Sequence, residues 1–194
     1  MRKAMIERKT TETDVEVSLV IDGGGNYEIE TGVAFLDHML SLMSRHGLFD
    51  MKIKAKGDLE VDSHHTVEDV GLCLGRAFLQ ALGSKERIAR YGSARVPMNE
   101  ALAQVDVDIS SRPVMVFKGE LPGAKVGQFD AELTREFLHA FANASQLTLH
   151  VTLAYGDNLH HCIEAIFKAL GRALAEGVRL DERIKGVMST KGKL

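Results

Sequence analysis

The sequence predicts an α+β fold made by internal duplication: a strand-strand-helix-strand-helix unit used twice, giving two mostly antiparallel sheets with helices packed between them. Three observations carry this. The pentad His64-His65-Thr66-Val67-Glu68 returns as His160-His161-Cys162-Ile163-Glu164, and both read His-His-x-x-Glu. The runs that follow, GLCLGRAFLQALG and IFKALGRAL, are alike. The stretches leading to each pentad alternate apolar and polar residues, then change to helical spacing. A repeat decides how every other stretch is read.

The elements follow in order. Over residues 5–21, Val15, Val17, Leu19 and Ile21 alternate, which predicts a half-buried strand. Asp22-Gly23-Gly24-Gly25-Asn26 has hairpin-turn chemistry, with Tyr27–Thr31 as its return strand. Phe35, Leu36, Met39, Leu40 and Met43 share one helical face, and Gly47 is the expected C-cap. Met51, Ile53 and Ala55 predict another strand, and Gly57-Asp58 a turn into the first pentad. Val67, Val70, Leu74, Phe78 and Leu82 then line a long helix ended by Gly83.

The second half repeats this order. Ala103, Val105, Val107 and Ile109 alternate, and Pro113–Phe117 is the return strand. EFLHAFANAS matches FLDHMLSLMS, so His139 falls with His38. Leu147 to Tyr155 alternate, and Gly156-Asp157 repeats the Gly57-Asp58 turn. Ile163, Ile166, Phe167, Leu170 and Leu174 then mark the last helix. Residues 83–102 read as a polar join. One fused domain over 1–194 is expected, with halves of about 1–92 and 93–194.

Composition narrows the function classes. The chain has 194 residues, 45% hydrophobic and 26% charged, with a formal net charge of -3. There is no basic excess to bind nucleic acid and no apolar run long enough to span a membrane. The basic N-terminus lacks the apolar stretch of a signal peptide. The two cysteines, Cys73 and Cys162, lie in helical patterns without metal-ribbon spacing. A reducing cytoplasm is the expected setting.

The chemistry lies in the histidines. Six of the eight fall at matched repeat positions: His38, His64, His65, His139, His160 and His161. On a helix, residues four apart share a face, whereas neighbours diverge by about 100°. His64 with Glu68, and His160 with Glu164, can each hold one metal ion, while His65 and His161 look elsewhere. If the copies pack about a pseudo-twofold axis, the expected sites are His64, Glu68, His38 and His161, and His160, Glu164, His139 and His65. The copies could instead meet between subunits. Any single histidine is better read as a cap or a hydrogen-bonded core residue; six in register, each pair followed by a glutamate, point to metal. Mixed N/O ligation suits manganese, iron or zinc, and octahedral preference favours manganese or iron. The zinc-protease pattern needs histidines four apart on one helix, which neither HHTVE nor HHCIE has.

Other residues stay open on this reading. Cys162 could be a soft ligand, with small core filler the preferred role. Arg90, Arg112 and the tail Ser189-Thr190-Lys191-Gly192-Lys193 could bind phosphate, but from the residues alone solvated surface charge is the favoured reading. Glu12 could be a strand-edge charge or an acid–base group.

RKTTETD, TGVAFLDHML, GDLEVDSHHTVEDVGLCLG, RYGSARVPMNEAL, VDISSRP, VGQFDAELTREFLHAFA, LHHCIEAIFKALGRAL and STKGKL together resemble the imidazoleglycerol-phosphate dehydratase family, from about residue 5 to the end. Two departures stand out: Asn99 where the family's PMDEAL segment has Asp, and Met188 where a Pro precedes STKG. The resemblance implies a lyase of histidine biosynthesis with two Mn2+ per active site. It would dehydrate imidazole glycerol phosphate to imidazole acetol phosphate through a metal-bound imidazolate and a diazafulvene-like intermediate. It implies Glu12 as the proton shuttle, with Glu164 the alternative, and Arg90, Arg112, Ser189, Thr190 and Lys191 at the substrate phosphate. It also implies a 24-subunit shell built from trimers, with active sites at subunit contacts.

Overall fold

A computed structural model describes residues 1–194. The first half runs β1 (Lys3–Lys9), β2 (Thr13–Val20), β3 (Tyr27–Glu30), α1 (Ala34–Gly47), β4 (Asp50–Gly57) and α2 (His64–Leu82). The second runs β5 (Tyr91–Met98), β6 (Ala101–Asp108), β7 (Val114–Lys118), the ribbon β8 (Lys125–Val126) and β9 (Phe129–Asp130), α3 (Leu133–Ser145), β10 (Thr148–Tyr155) and α4 (Leu159–Val178). Two sheets of identical topology result, β1-β2-β4-β3 and β5-β6-β10-β7. The duplication is therefore real at the level of topology.

The repeated unit has one more strand than the sequence reading supplied. Residues 5–21 are not one strand but parts of a hairpin, β1 and β2. The Thr10 hydroxyl breaks the run by accepting the N–H groups of Glu12 (3.2 Å) and Thr13 (3.0 Å). The alternation from Val15 onward describes β2 alone. Likewise the polar join contains β5, the counterpart of β1.

The glycine run is not a hairpin turn. β2 takes β4 as its antiparallel neighbour, and β3 pairs with β4 in parallel, Ile29 opposite Ile53. A strand-helix-strand crossover through α1 returns the chain parallel, so β3 cannot be the return strand of β2. Asp50 ties the Gly-rich loop down: its Oδ1 accepts the N–H groups of Gly24 and Asn26 and the Asn26 amide, each at 2.9 Å. β7 pairs in parallel with β10 in the same way. Each sheet is thus mixed, with two antiparallel pairings and one parallel pairing.

The helices lie between the sheets. α2 packs on β1 and β2, α4 on β5 and β6, and the layers meet as α1 on α4 and α2 on α3. Two glycines at matched repeat positions set the helix approach. A Cβ on Gly75 would lie 2.6 Å from the Phe141 carbonyl oxygen, and one on Gly171 2.5 Å from that of Met43. α1 continues through Gly47, and the left-handed terminal position falls on Leu48 (φ 56) rather than on a glycine. Gly83 does terminate α2, at φ 59. Buried apolar residues of both halves form one cluster of 49, so the halves share a core. No helix is long and apolar enough to cross a membrane.

One buried ion pair fastens the β1–β2 hairpin to α2. Asp69, 5% exposed, accepts from the Arg8 guanidinium and the Thr13 hydroxyl. Arg8→Ala leaves that carboxylate with the hydroxyl alone. We expect a loss of about 2–3 kcal/mol, below the usual figure for a broken buried pair because Arg8 is partly solvated. Urea unfolding of metal-free protein at one fixed protomer concentration checks this; an unchanged midpoint would show that water replaces the guanidinium.

Candidate metal centre

The second pentad opens α4. Asn158 precedes the helix, and its side-chain oxygen accepts the His161 N–H at 3.2 Å. One turn separates His160 from Glu164, and His160 Nε2 stands 3.2 Å from Glu164 Oε2. Because α1 runs along α4, His38 enters the same spot, its Nε2 3.7 Å from the same oxygen. Potential ligand atoms of His38, His160 and Glu164 all lie within 4.8 Å of one another. Phe35, one turn before His38, meets the His160 ring edge-on at 5.1 Å. The carboxylate forms the floor, 7% exposed, and the two half-exposed imidazoles form the rim.

Lys168 divides the labour of Glu164. Its ammonium sits 2.6 Å from Oε1, which leaves Oε2 to the histidines. Burial pushes the Glu164 carboxyl up, but the Lys168 hydrogen bond and charge, with the nearby imidazoles, outweigh it. The net shift is below the ordinary carboxylate value. Divalent ions with bonds of about 2.1 Å hold neighbouring ligands roughly 3 Å apart. A buried anionic oxygen with two imidazole nitrogens near that spacing fits such an ion.

This grouping differs from the one expected from sequence. His38 joins the second pentad, not the first, because α1 packs on α4 rather than on α2. His64 and Glu68 are half-buried on α2, which packs on α3. His139 is exposed on α3, with the Asn143 amide 3.3 Å from its ring nitrogens. The ligand atoms of His64, Glu68 and His139 do not draw together as those of the first set do. The copies also differ chemically, since Leu72 stands where the repeat would place Lys168.

His65 and His161 belong to neither group within the chain. Each is held by a carboxylate instead. His65 Nδ1 lies 2.9 Å from Asp58 Oδ2, and His161 Nδ1 lies 2.8 Å from Glu100 Oε2. Glu100 also accepts the Asn158 N–H at 2.9 Å. That backbone contact, followed by the His161 bond, lowers the Glu100 carboxyl to about 2. The Asp58 hydrogen bond, acting against burial, raises His65.

The expected phosphate residues do converge. Arg90, Arg112, Ser189, Thr190 and Lys191 line one cavity of about 1070 Å³, joined by Lys185 and Lys193. Arg90 is committed: it grips Asp108 through Nε (2.7 Å) and Nη2 (3.1 Å) and donates to the Met188 carbonyl at 2.8 Å. It thereby ties the tail to the second sheet. Arg112 is free by comparison, 68% exposed and 3.5 Å from Asp108. No histidine lines this cavity, and neither does Glu12, which sits exposed in the β1–β2 turn. Metal candidates and anion cavity therefore occupy different parts of one chain.

The family profile described as imidazoleglycerol-phosphate dehydratase matches residues 31–174. The chain belongs to the imidazoleglycerol-phosphate dehydratase family. Its relatives include dehydratases from Bacillus licheniformis, 57% identical, and Thermoanaerobacter pseudethanolicus, 59% identical; each match covers 100% of both chains. Among solved dehydratase structures, that from Staphylococcus aureus superposes with a TM-score of 0.84 at 40% identity, covering 92% of this chain and 99% of the other. That from Pyrococcus furiosus gives 0.85 at 38% identity, covering 97% and 100%. The family makes the chain an enzyme of the hydro-lyase class.

Four neighbours of these groups escaped the sequence reading: Lys168, Asp58, Glu100 and Asp108. Lys168 was legible as an i,i+4 partner of Glu164. Glu100 was legible as the counterpart of Glu12, since Val15, Val17, Leu19 and Ile21 align with Ala103, Val105, Val107 and Ile109. Asp58 depends on how its loop folds back, and Asp108 on the β5–β6 register that sets it opposite Tyr91, beside Arg90.

Proposed function

We propose that this chain dehydrates D-erythro-imidazole-glycerol phosphate to imidazole acetol phosphate in histidine biosynthesis, in the cytoplasm, using two Mn2+ per active site. The observation that carries the metal dependence is the convergence of His38, His160 and Glu164 in a chain of this family. His64, His65, Glu68, His139 and His161 complete the ligand roster. Bound manganese supplies Lewis acidity that withdraws charge from the substrate's imidazole.

The chain's own groups do the rest. Arg112, Lys191, Ser189 and Thr190 take the substrate phosphate, and Arg90 shapes their cavity by holding Asp108 and the tail. Glu12, a carboxylate without a side-chain partner, moves the proton from the carbinol carbon, with Glu164 as the alternative. That proton is not acidic in the free substrate, because no carbonyl adjoins it. Loss of the ring-side hydroxyl and of this proton leaves an enol, which ketonises to the product.

Because the metal candidates and the anion cavity lie apart within one chain, we read the active site as completed between chains, in a 24-subunit shell of trimers. We read each chain as a single fused domain within it. The decisive assay incubates the protein with the substrate and Mn2+. Keto product without inorganic phosphate is the expected result. Phosphate release would turn the reading to a hydrolase, and metal-loaded protein without turnover would turn it to a metal-binding oligomer.

Arg112→Ala removes one exposed guanidinium from the cavity. A charged hydrogen bond is worth about 1.5–3 kcal/mol, so KM is expected to rise by roughly 10- to 100-fold, with a smaller fall in kcat. Steady-state kinetics measure both; an unchanged KM would take Arg112 away from the phosphate.

A further inference from the structure

The two pentads secure their second histidine by different means. In the first copy five residues, Leu59–Ser63, separate Asp58 from the helix, and this loop lets Asp58 fold back onto His65. In the second copy the link is short. Asn158 caps the helix, Asp157 is exposed, and Glu100 crosses from the β5–β6 turn to reach His161. Different residues from different loops deliver one outcome, a carboxylate oxygen on Nδ1 at 2.8–2.9 Å.

That contact fixes the chemistry of the other ring nitrogen. An ionised carboxylate only accepts hydrogen bonds, so Nδ1 carries the proton and a neutral ring keeps its lone pair on Nε2. The Asn99 amide lies 3.3 Å from His161 Nε2, where its NH2 group is able to donate to that lone pair. Asn99 sits at φ 49, a left-handed position that asparagine tolerates well. Asp58 Oδ1 is buried and takes no hydrogen bond from the rest of the chain, so the carboxylate's one side-chain partner is His65.

We propose that Glu100 and Asp58 are positioning residues, each holding the second histidine of its pentad as an Nδ1–H tautomer with Nε2 ready to ligate metal. Carboxylates behind a metal-bound imidazole orient the ring and raise its basicity. The duplication also explains the division of roles between counterparts: Glu100 is engaged with His161, whereas Glu12 keeps its side chain free.

The proposal rests on the manganese reading above, and its test separates the two. Mn2+ is titrated into the full-length protein and free ion is followed by electron paramagnetic resonance, with a thermal melt of each variant. Glu100→Ala is expected to weaken one class of site by about 10- to 100-fold and leave the other unchanged. Asp58→Ala is expected to weaken the other class. Glu100→Gln, whose amide oxygen still accepts from Nδ1–H, should recover most of the loss. Parent affinity at both classes in Glu100→Ala overturns the proposal. So does equal weakening of both classes with a lowered melting temperature, which marks a structural role. Parent protein that takes up no Mn2+ overturns the manganese reading itself.

Discussion

His160→Ala is expected to remove a metal ion and, with it, at least about three orders of magnitude of kcat. Lewis-acid assistance is worth several kcal/mol, and each 1.36 kcal/mol is tenfold in rate. The histidine is well placed for so large an effect. Its Nε2 is 3.2 Å from Glu164 Oε2, and its removal leaves only His38 beside that oxygen. Lys168 then has the carboxylate nearly to itself, so the site becomes a closed ion pair instead of an open one. Metal affinity is expected to fall by more than the roughly 10- to 100-fold typical of losing a group behind a ligand. Folding should suffer little, because the side chain is 41% exposed at the start of a helix. Equilibrium dialysis for Mn2+, with turnover and a metal-free melt, checks all three statements. A variant that keeps its full metal complement and full turnover removes His160 from the site.

Glu12→Gln is expected to lower kcat by about 10²–10⁴-fold while metal binding stays near the parent value, the usual contribution of a positioned proton-transfer group. Glutamine keeps the shape and loses only the ability to take a proton. The turn that carries Glu12 is held from several sides. Its carbonyl accepts the Asp58 N–H at 3.1 Å, the Thr10 hydroxyl closes the turn, and Arg8, Thr13 and Asp69 anchor the strands below it. The substitution should therefore leave the backbone where it is. Rapid-quench turnover at saturating substrate measures the effect. More than half the parent kcat in the variant would transfer the proton steps to Glu164.

Much of the architecture was readable along the chain. The periodicities located three helices and the repeat match the fourth, α3, together with six of the ten strands, because a face that is buried must repeat every 2 or 3.6 residues. The missing strands were β1, β5 and the two-residue strands β8 and β9. β1 was hidden inside an apparently continuous run broken by one threonine hydroxyl, and β5 carries exposed polar positions that resemble a linker. The parallel pairing of β3 was readable in principle from the helix that follows it, but the Gly-rich loop carried the stronger local signal.

The sequence by itself determined that the chain is a duplication, that each copy places a histidine and a glutamate on one helical face, and that it belongs with the imidazoleglycerol-phosphate dehydratases. Those are statements about spacing and identity, which are local. Only the tertiary structure decided which helix lies beside which. Periodicity shows that α1 and α4 each have an apolar face, but it does not name the partner of that face. The partner is set by close backbone approach at Gly171 and Gly75 and by sheets that hold the helix pairs in two layers. That packing carries His38 to Glu164 across the repeat, and leaves His65 and His161 to carboxylates delivered by loops.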